Sequence, residues 1–343
     1  MVNAAGERIL IVAPSWVGDA VLSQPLLALL QAKDPAARID VLAPAWVLPV
    51  YRRMPQVADT IESPFRHGQL AIRARAQLAA AIRRLRYDRA LILPNSFKSA
   101  LVPWLAGIAR RTGFVGEWRY GLLTDPRRLD PKSLPRMVQR FAHLAGGRDE
   151  PLPQALPRPA LRVSAAEVEA VLAAKGLARP PRLACFCPGA EYGPAKRWPA
   201  RYFGHLAQLL SREGYAVWLL GSNKDAAIGA EIAQHAAAAA RDLTGKTSLD
   251  EAITLLSVAD QVVTNDSGLM HVAAALDRPL VAIYGSSSPE FTPPLSDRAR
   301  VVRLGIACSP CFERVCPLGH FDCMMRLEPE RIAREIRSVA AGA

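Results

Sequence analysis

Short apolar runs, each ending in a loop of small and polar residues and followed by a helical stretch, recur along this chain and constrain its fold more than any other feature. Arg8–Ala13, Arg38–Leu42 and Arg89–Leu93 read as strands, with a helix from about Ala20 to Ala32 and an arginine-studded helix over Gln69–Leu85. Such alternation predicts a parallel sheet covered by helices. The proline-rich run PLPQALPRPAL at 151–161 interrupts the pattern and reads as a linker. The alternation then restarts: Leu183–Cys187, Ala216–Leu220, Gln261–Thr264 and Leu280–Tyr284 read as buried strands, and a helix of roughly Pro329 to Ala340 closes the chain. The expected fold class is therefore α/β, with two Rossmann-like domains whose parallel sheets face each other across a cleft, where ligands of such sheets bind.

Charge is divided unevenly between the halves. Residues 1–160 hold 23 Lys and Arg against 12 Asp and Glu, a net of +11, whereas residues 161–343 hold 20 against 19, a net of +1. The basic half calls for an anionic partner, and nucleic acid, acidic lipid headgroups and phosphorylated glycans all meet that demand. No segment reads as an export signal or a membrane span. The apolar stretch Leu91–Ala109 is broken by Pro94, Asn95, Lys98 and Pro103. A cytoplasmic location, with the six cysteines mostly reduced, is the expectation.

Four loops at strand ends carry the chemistry-bearing residues. In Ser15-Trp16-Val17-Gly18-Asp19, Asp19 sits at a helix entry, either as a cap or as a general base. The run from Pro188 and Gly189 to Lys196, Arg197 and Pro199 sets two cations before a helix, either as a solvated pair or as an oxyanion site. In Thr264-Asn265-Asp266-Ser267-Gly268-Leu269-Met270-His271, the N–H groups from Ser267 to Met270 form a candidate diphosphate cradle. Within it, Asp266 or Ser267 also suits a plain helix cap, and His271 also suits a core position. Gly285-Ser286-Ser287-Ser288-Pro289 is a fourth loop of the same kind.

Several other signals exclude functions. Leu243-Thr244-Gly245-Lys246-Thr247 resembles the tail of a P-loop, but Ala240 stands where the first glycine belongs. There is no G-x-G-x-x-G, which argues against a dinucleotide dehydrogenase, and no D-x-D pair of the kind that holds a divalent metal on a nucleotide sugar. Cys308, Cys311, Cys316 and Cys323 open with C-x-x-C spacing and then become irregular, with His320 among them. They read either as a structural zinc site or as reduced structural thiols. Cys185 and Cys187 alternate along a strand and read as core.

Taken together in order, SWVGDAVLSQPLLALL, LPNSFKSAL at 93–101, PGAEYGPAKRWP at 188–199, TNDSGLMHVAAAL at 264–276 and GSSSPEFTPPLS at 285–296 closely resemble the ADP-heptose:lipopolysaccharide heptosyltransferases. The resemblance runs from about residue 8 to 325, and the tail CSPCFERVCPLGHFDCM resembles one subgroup of that family. One departure stands before Lys196, where Glu191 and Tyr192 replace two hydroxyl residues that part of the family carries.

This resemblance implies a GT-B fold and inverting transfer of heptose from ADP-heptose without a metal or other cofactor. The acceptor it implies is the first heptose of the lipopolysaccharide inner core, on a Kdo-containing phosphorylated lipid A at the inner-membrane surface. It implies an acceptor-binding domain over 1–155, an ADP-heptose-binding domain over 156–327, and a last helix over 328–343 crossing back to the first. Residue by residue, Asp19 matches the catalytic base and Lys196 the lysine that holds the donor diphosphate. Asp266, Ser267, Gly268, Leu269 and His271 match the donor motif, with Gly189 in the loop beside it. Lys98 falls in the motif facing the acceptor, and Arg66, Arg119, Arg136 and Arg140 join it as candidates to meet the acceptor's negative charge. Nucleic acid is not an expected partner, because binding it would use the basic half and leave the four loops without a role.

Overall fold

The computed structural model describes residues 6–65 and 68–341. The chain divides into two compact units, Met1–Pro159 and Ala160–Ala343, and the boundary lies in the proline-rich segment.

The first unit holds strands β1 (Arg8–Val12), β2 (Arg38–Pro44), β3 (Val57–Ser63), β4 (Arg89–Ile92), β5 (Arg110–Phe114) and β6 (Asp125–Arg127). Its helices are α1 (Val17–Leu22), α2 (Gln24–Lys33), α3 (Leu48–Arg52), α4 (Ile72–Arg84), α5 (Phe97–Leu105) and α6 (Met137–His143). The strands form one parallel sheet in the order β3-β2-β1-β4-β5-β6. Ile9, Leu10 and Ile11 of β1 are all buried, as a strand covered by helices on both faces requires. The single helix expected over Ala20–Ala32 is two, because the chain turns at Ser23 between α1 and α2.

The second unit repeats the plan. Its strands are β7 (Leu183–Cys187), β8 (Ala216–Leu219), β9 (Ala240–Asp242), β10 (Gln261–Asn265), β11 (Leu280–Ile283) and β12 (Ala299–Val302). Its α-helices are α7 (Ala165–Ala174), α8 (Ala200–Arg212), α9 (Ala226–Ala236), α10 (Leu249–Leu256), α11 (Gly268–Ala275), α12 (Asp322–Met325) and α13 (Pro329–Ala341). The sheet is parallel in the order β12-β11-β10-β7-β8-β9. Phe186, Trp198 and Phe203 anchor its core, with the Trp198 and Phe203 rings edge to face at 4.8 Å. Helix α13 packs against α8, β11 and β12 of this same unit.

Each sheet reverses direction once. The first strand of each unit lies between the strand that follows it and one from later in the chain, so the switch points fall between β1 and β4 and between β7 and β10. Loops leaving the carboxyl ends of strands at such a point diverge and leave a crevice for a ligand. Among the described residues no helix is long and apolar enough to cross a membrane.

Candidate functional site

At the second unit's switch point, the loop after β7 and the loop after β10 are locked together. Asn265, the last residue of β10, donates from Nδ2 to the Pro188 carbonyl at 2.6 Å and accepts from the Trp198 N–H at 3.0 Å. The Trp198 indole N–H donates to the Leu327 carbonyl at 2.8 Å, which fixes the far end of the loop. Gly189 is needed for close packing, since a Cβ there would lie 2.7 Å from the Asp225 carboxylate. The result is that Lys196 Nζ meets Asp266 Oδ2 at 2.5 Å, with both side chains largely buried.

That pair is a poised cation. An ammonium carries three N–H donors, and Asp266 occupies one direction, leaving the others for a second acceptor. Asp266 orients the lysine rather than binding an anion itself, because two negative groups repel. Directly after it, Ser267 caps α11 with extended backbone, and the helix begins at Gly268. First-turn N–H groups of a helix have no carbonyl of their own helix to bond and favour negative charge. Ser267, Gly268 and Leu269 stand at this N-terminus.

Four buried polar atoms in this region have no hydrogen-bond partner among the described residues: Arg197 Nε, His271 Nδ1, Ser286 Oγ and Ser287 Oγ. Buried polar groups are normally satisfied, and these four lie on the segments that follow β7, β10 and β11. Burial pushes the His271 imidazole down to about 4, with Asp266 raising it and Lys196 lowering it further. The imidazole is therefore neutral near pH 7.

The first unit carries its own set at the β1–β4 switch point. Trp16, not Asp19, takes the N-cap of α1, with φ −95° and ψ 135°. Asp19 lies in the first turn, where the helix favours a carboxylate. Its charge raises the Tyr51 phenol, already pushed up by burial. Lys98 lies in the first turn of α5, and its carbonyl accepts from Arg75 Nη1 at 3.0 Å.

Arg119 corrects an expectation. Its side chain is fully buried rather than offered to an anionic acceptor. The guanidinium donates to the carbonyls of Phe114 at 3.0 Å and Pro94 at 2.5 Å, and to Ser99 Oγ at 3.0 Å. It therefore stitches the loop after β4, which leads into Lys98 of α5, to the end of β5. Arg136 is exposed at the start of α6, with its N–H donating to Gln139 Oε1 at 2.9 Å. Arg140 is half-buried and donates from Nε to the Leu134 carbonyl at 3.0 Å. Arg66 lies outside the described residues.

Exposed aromatics that were not among the sequence candidates follow the carboxyl ends of four strands: Trp16 after β1, Trp46 after β2, Phe97 at the start of α5 after β4, and Trp118 after β5. Trp118 is 89% exposed on a turn where Glu117 and Trp118 both adopt positive φ. Large exposed aromatics following strand ends were the signal that marked them. The six cysteines are unbonded thiols, and among the described residues no group of three or more His, Cys, Asp or Glu is gathered to hold a metal ion.

Two units of parallel sheet, each with its polar loops at the switch point, define a GT-B-like glycosyltransferase architecture. A solved structure described as E. coli ADP-heptose lps heptosyltransferase II matches it with a TM-score of 0.88 at 46% identity, over 98% of this chain and 99% of that one. Lipopolysaccharide heptosyltransferase 2 of Escherichia coli strain K12 is 48% identical over 97% of this chain and 98% of its own. Lipooligosaccharide heptosyltransferase 2 of Haemophilus influenzae is 46% identical over 87% of this chain and 88% of its own. The model of glycosyltransferase family 9 (heptosyltransferase) matches residues 75–322. The chain belongs to glycosyltransferase family 9, the heptosyltransferases, and is an enzyme of that class.

Proposed function

We propose that this enzyme transfers L-glycero-D-manno-heptose from ADP-heptose to the first heptose of the lipopolysaccharide inner core, the reaction of a heptosyltransferase II. The observation that carries this reading is the Lys196–Asp266 pair set beside the unpartnered His271, Ser286 and Ser287 atoms at the second unit's switch point. A cation, a helix N-terminus and spare hydrogen-bonding groups are what a nucleotide diphosphate leaving group requires. The near end-to-end identity with heptosyltransferase 2 proteins supports the choice of sugar and acceptor.

In this reading the second unit binds the donor and the first binds the acceptor. Asp19 takes the proton from the acceptor hydroxyl as its oxygen attacks the anomeric carbon from the face opposite ADP. The new C–O bond forms while the bond to ADP breaks, so the configuration inverts and ADP departs with added negative charge. Lys196 and the N-terminus of α11 stabilise that charge, and one such contact typically contributes about 3 kcal/mol to the transition state. No step calls for a metal.

The acceptor is a Kdo-containing phosphorylated lipid A, and the net charge of +11 over residues 1–160 complements it. Lys98, Arg66, Arg136 and Arg140 are the candidates to meet its phosphates and carboxylates, and the exposed aromatics offer faces for its sugars. The same charge holds the enzyme peripherally at the cytoplasmic face of the inner membrane.

The test is ADP release from ADP-heptose with two acceptors, Kdo-lipid A and its monoheptosylated form. Release only with the monoheptosylated form is expected. Release with the unheptosylated form would move the enzyme to heptosyltransferase I, and release with neither would reopen both substrates.

A further inference from the structure

The cysteine-bearing segment has no part in the chemistry above, yet it is fastened to two of the donor loops. Ser309 Oγ donates to the Gly285 carbonyl at 2.6 Å, and the Phe312 N–H donates to the Ser286 carbonyl at 2.6 Å. These bonds hold the loop after β11, whose Ser286 hydroxyl is buried and unpartnered. The loop after β7 is fastened to the same segment from the other side. Tyr192 donates its hydroxyl to the Phe312 carbonyl at 2.7 Å, and the Ala195 N–H donates to the Arg314 carbonyl at 3.0 Å. Approach is so close that a Cβ on Gly193 would lie 2.3 Å from the Arg314 carbonyl oxygen.

This fastening has an electrostatic consequence. The Arg314 guanidinium lies 5.1 Å from the centre of the Tyr192 ring, and Lys196 Nζ lies 5.1 Å from the same centre. Two cations are therefore gathered about one aromatic ring, and one of them is tied to Asp266, just ahead of α11. Their circumstances differ. Lys196 is tied to Asp266, whereas Arg314 is exposed and takes no ion pair among the described residues. Like charges brought together without a shared carboxylate repel, and an anion with more than one charged group relieves that repulsion. A guanidinium offers a planar fork of donors suited to phosphate oxygens, and an aromatic ring orients it at little cost in freedom.

We propose that Arg314 is a second phosphate-binding cation of the donor site, so that Lys196 and Arg314 together grip the diphosphate. The inference rests on the reading of this site as the ADP-heptose site. It gives the cysteine-bearing segment a function: it carries Arg314 to the donor and fixes the loop of Lys196 by backbone bonds. Tyr192, where part of the family has a hydroxyl residue, is the ring that both cations share.

The test compares ADP with AMP by calorimetric titration of wild type, Arg314→Ala and Arg314→Lys. Alanine leaves the Arg314 carbonyl and its bond to Ala195 in place, so it removes the cation and keeps the fastening. Wild type is expected to prefer ADP over AMP. Arg314→Ala should lower ADP affinity about tenfold or more while changing AMP affinity little, and lysine should restore part of the loss. Unchanged ADP affinity in Arg314→Ala, or equal losses for ADP and AMP, would overturn the proposal while leaving the donor reading intact. A wild type that bound neither nucleotide would remove the donor reading and this inference with it.

Discussion

His271 lies one turn into α11 with its ring buried and Nδ1 unpartnered. Its folded value of about 4 is below the value near 6.5 of an unfolded chain. Between those limits the unfolded state binds the proton and the folded state does not. The contribution to stability is therefore complete above pH 6.5 and is lost as pH falls from about 6.5 to 4. Its limit is about 3 kcal/mol. Denaturant titrations of wild type and His271→Gln over that range should show the wild type losing stability more steeply. Parallel curves would mean that the imidazole titrates alike in the folded and the unfolded chain. Arg119 illustrates the opposite case, a charge buried without a carboxylate. Burial lowers it to about 10, with Glu117 opposing, and it remains a cation satisfied by carbonyls.

At the scale of elements, the loop after β7 does its work by being held. Gly193 has extended backbone, φ 163°, so its lack of a side chain matters for space rather than for conformation. Gly193→Ala should push the loop away from Arg314, breaking the Ala195 bond and displacing Lys196. The expected outcome is weaker ADP binding, by about tenfold, with the far-ultraviolet circular dichroism unchanged. ADP binding equal to wild type would show that the loop does not depend on that contact.

Strands β1, β2, β4, β7, β8, β10 and β11 were legible in the sequence because each reads as a short, mostly apolar run, as LACFC does in β7, whereas the interior strand β5, RRTGF, opens on two arginines and was not. The edge strands were not. β3 (VADTIES) exposes three of its residues and β9 is only ARD, so neither carries a periodic signal. The loops after β7, β10 and β11 were legible as loops because glycine, serine and charge cluster where an apolar run ends. Arg119 and Arg314 were not. An arginine in a loop reads as solvated, and only the fold reveals that one is buried among carbonyls and the other is brought to a tyrosine more than a hundred residues away in sequence.

For the whole molecule, the partition of charge sets the behaviour toward salt. In the proposed reaction, donor recognition rests on a largely buried ion pair and fixed N–H groups, which screening affects weakly. In the same proposal, acceptor recognition draws on the net charge of +11 spread over residues 1–160, which screening affects strongly. Raising ionic strength from about 0.1 M to about 1 M shortens the screening length from about 10 Å to about 3 Å. The KM for the acceptor should then rise several-fold more than the Kd for ADP. Equal shifts in the two would mean that the basic half does not serve the acceptor.

The central claim, that Asp19 deprotonates the acceptor while the second unit holds the leaving ADP, is met most directly by one comparison. Wild type and Asp19→Asn are assayed side by side for heptose transfer from ADP-heptose to monoheptosylated Kdo-lipid A and for ADP affinity. Loss of transfer by about a hundredfold or more with ADP affinity unchanged is the predicted result. Substantial transfer by Asp19→Asn would contradict it.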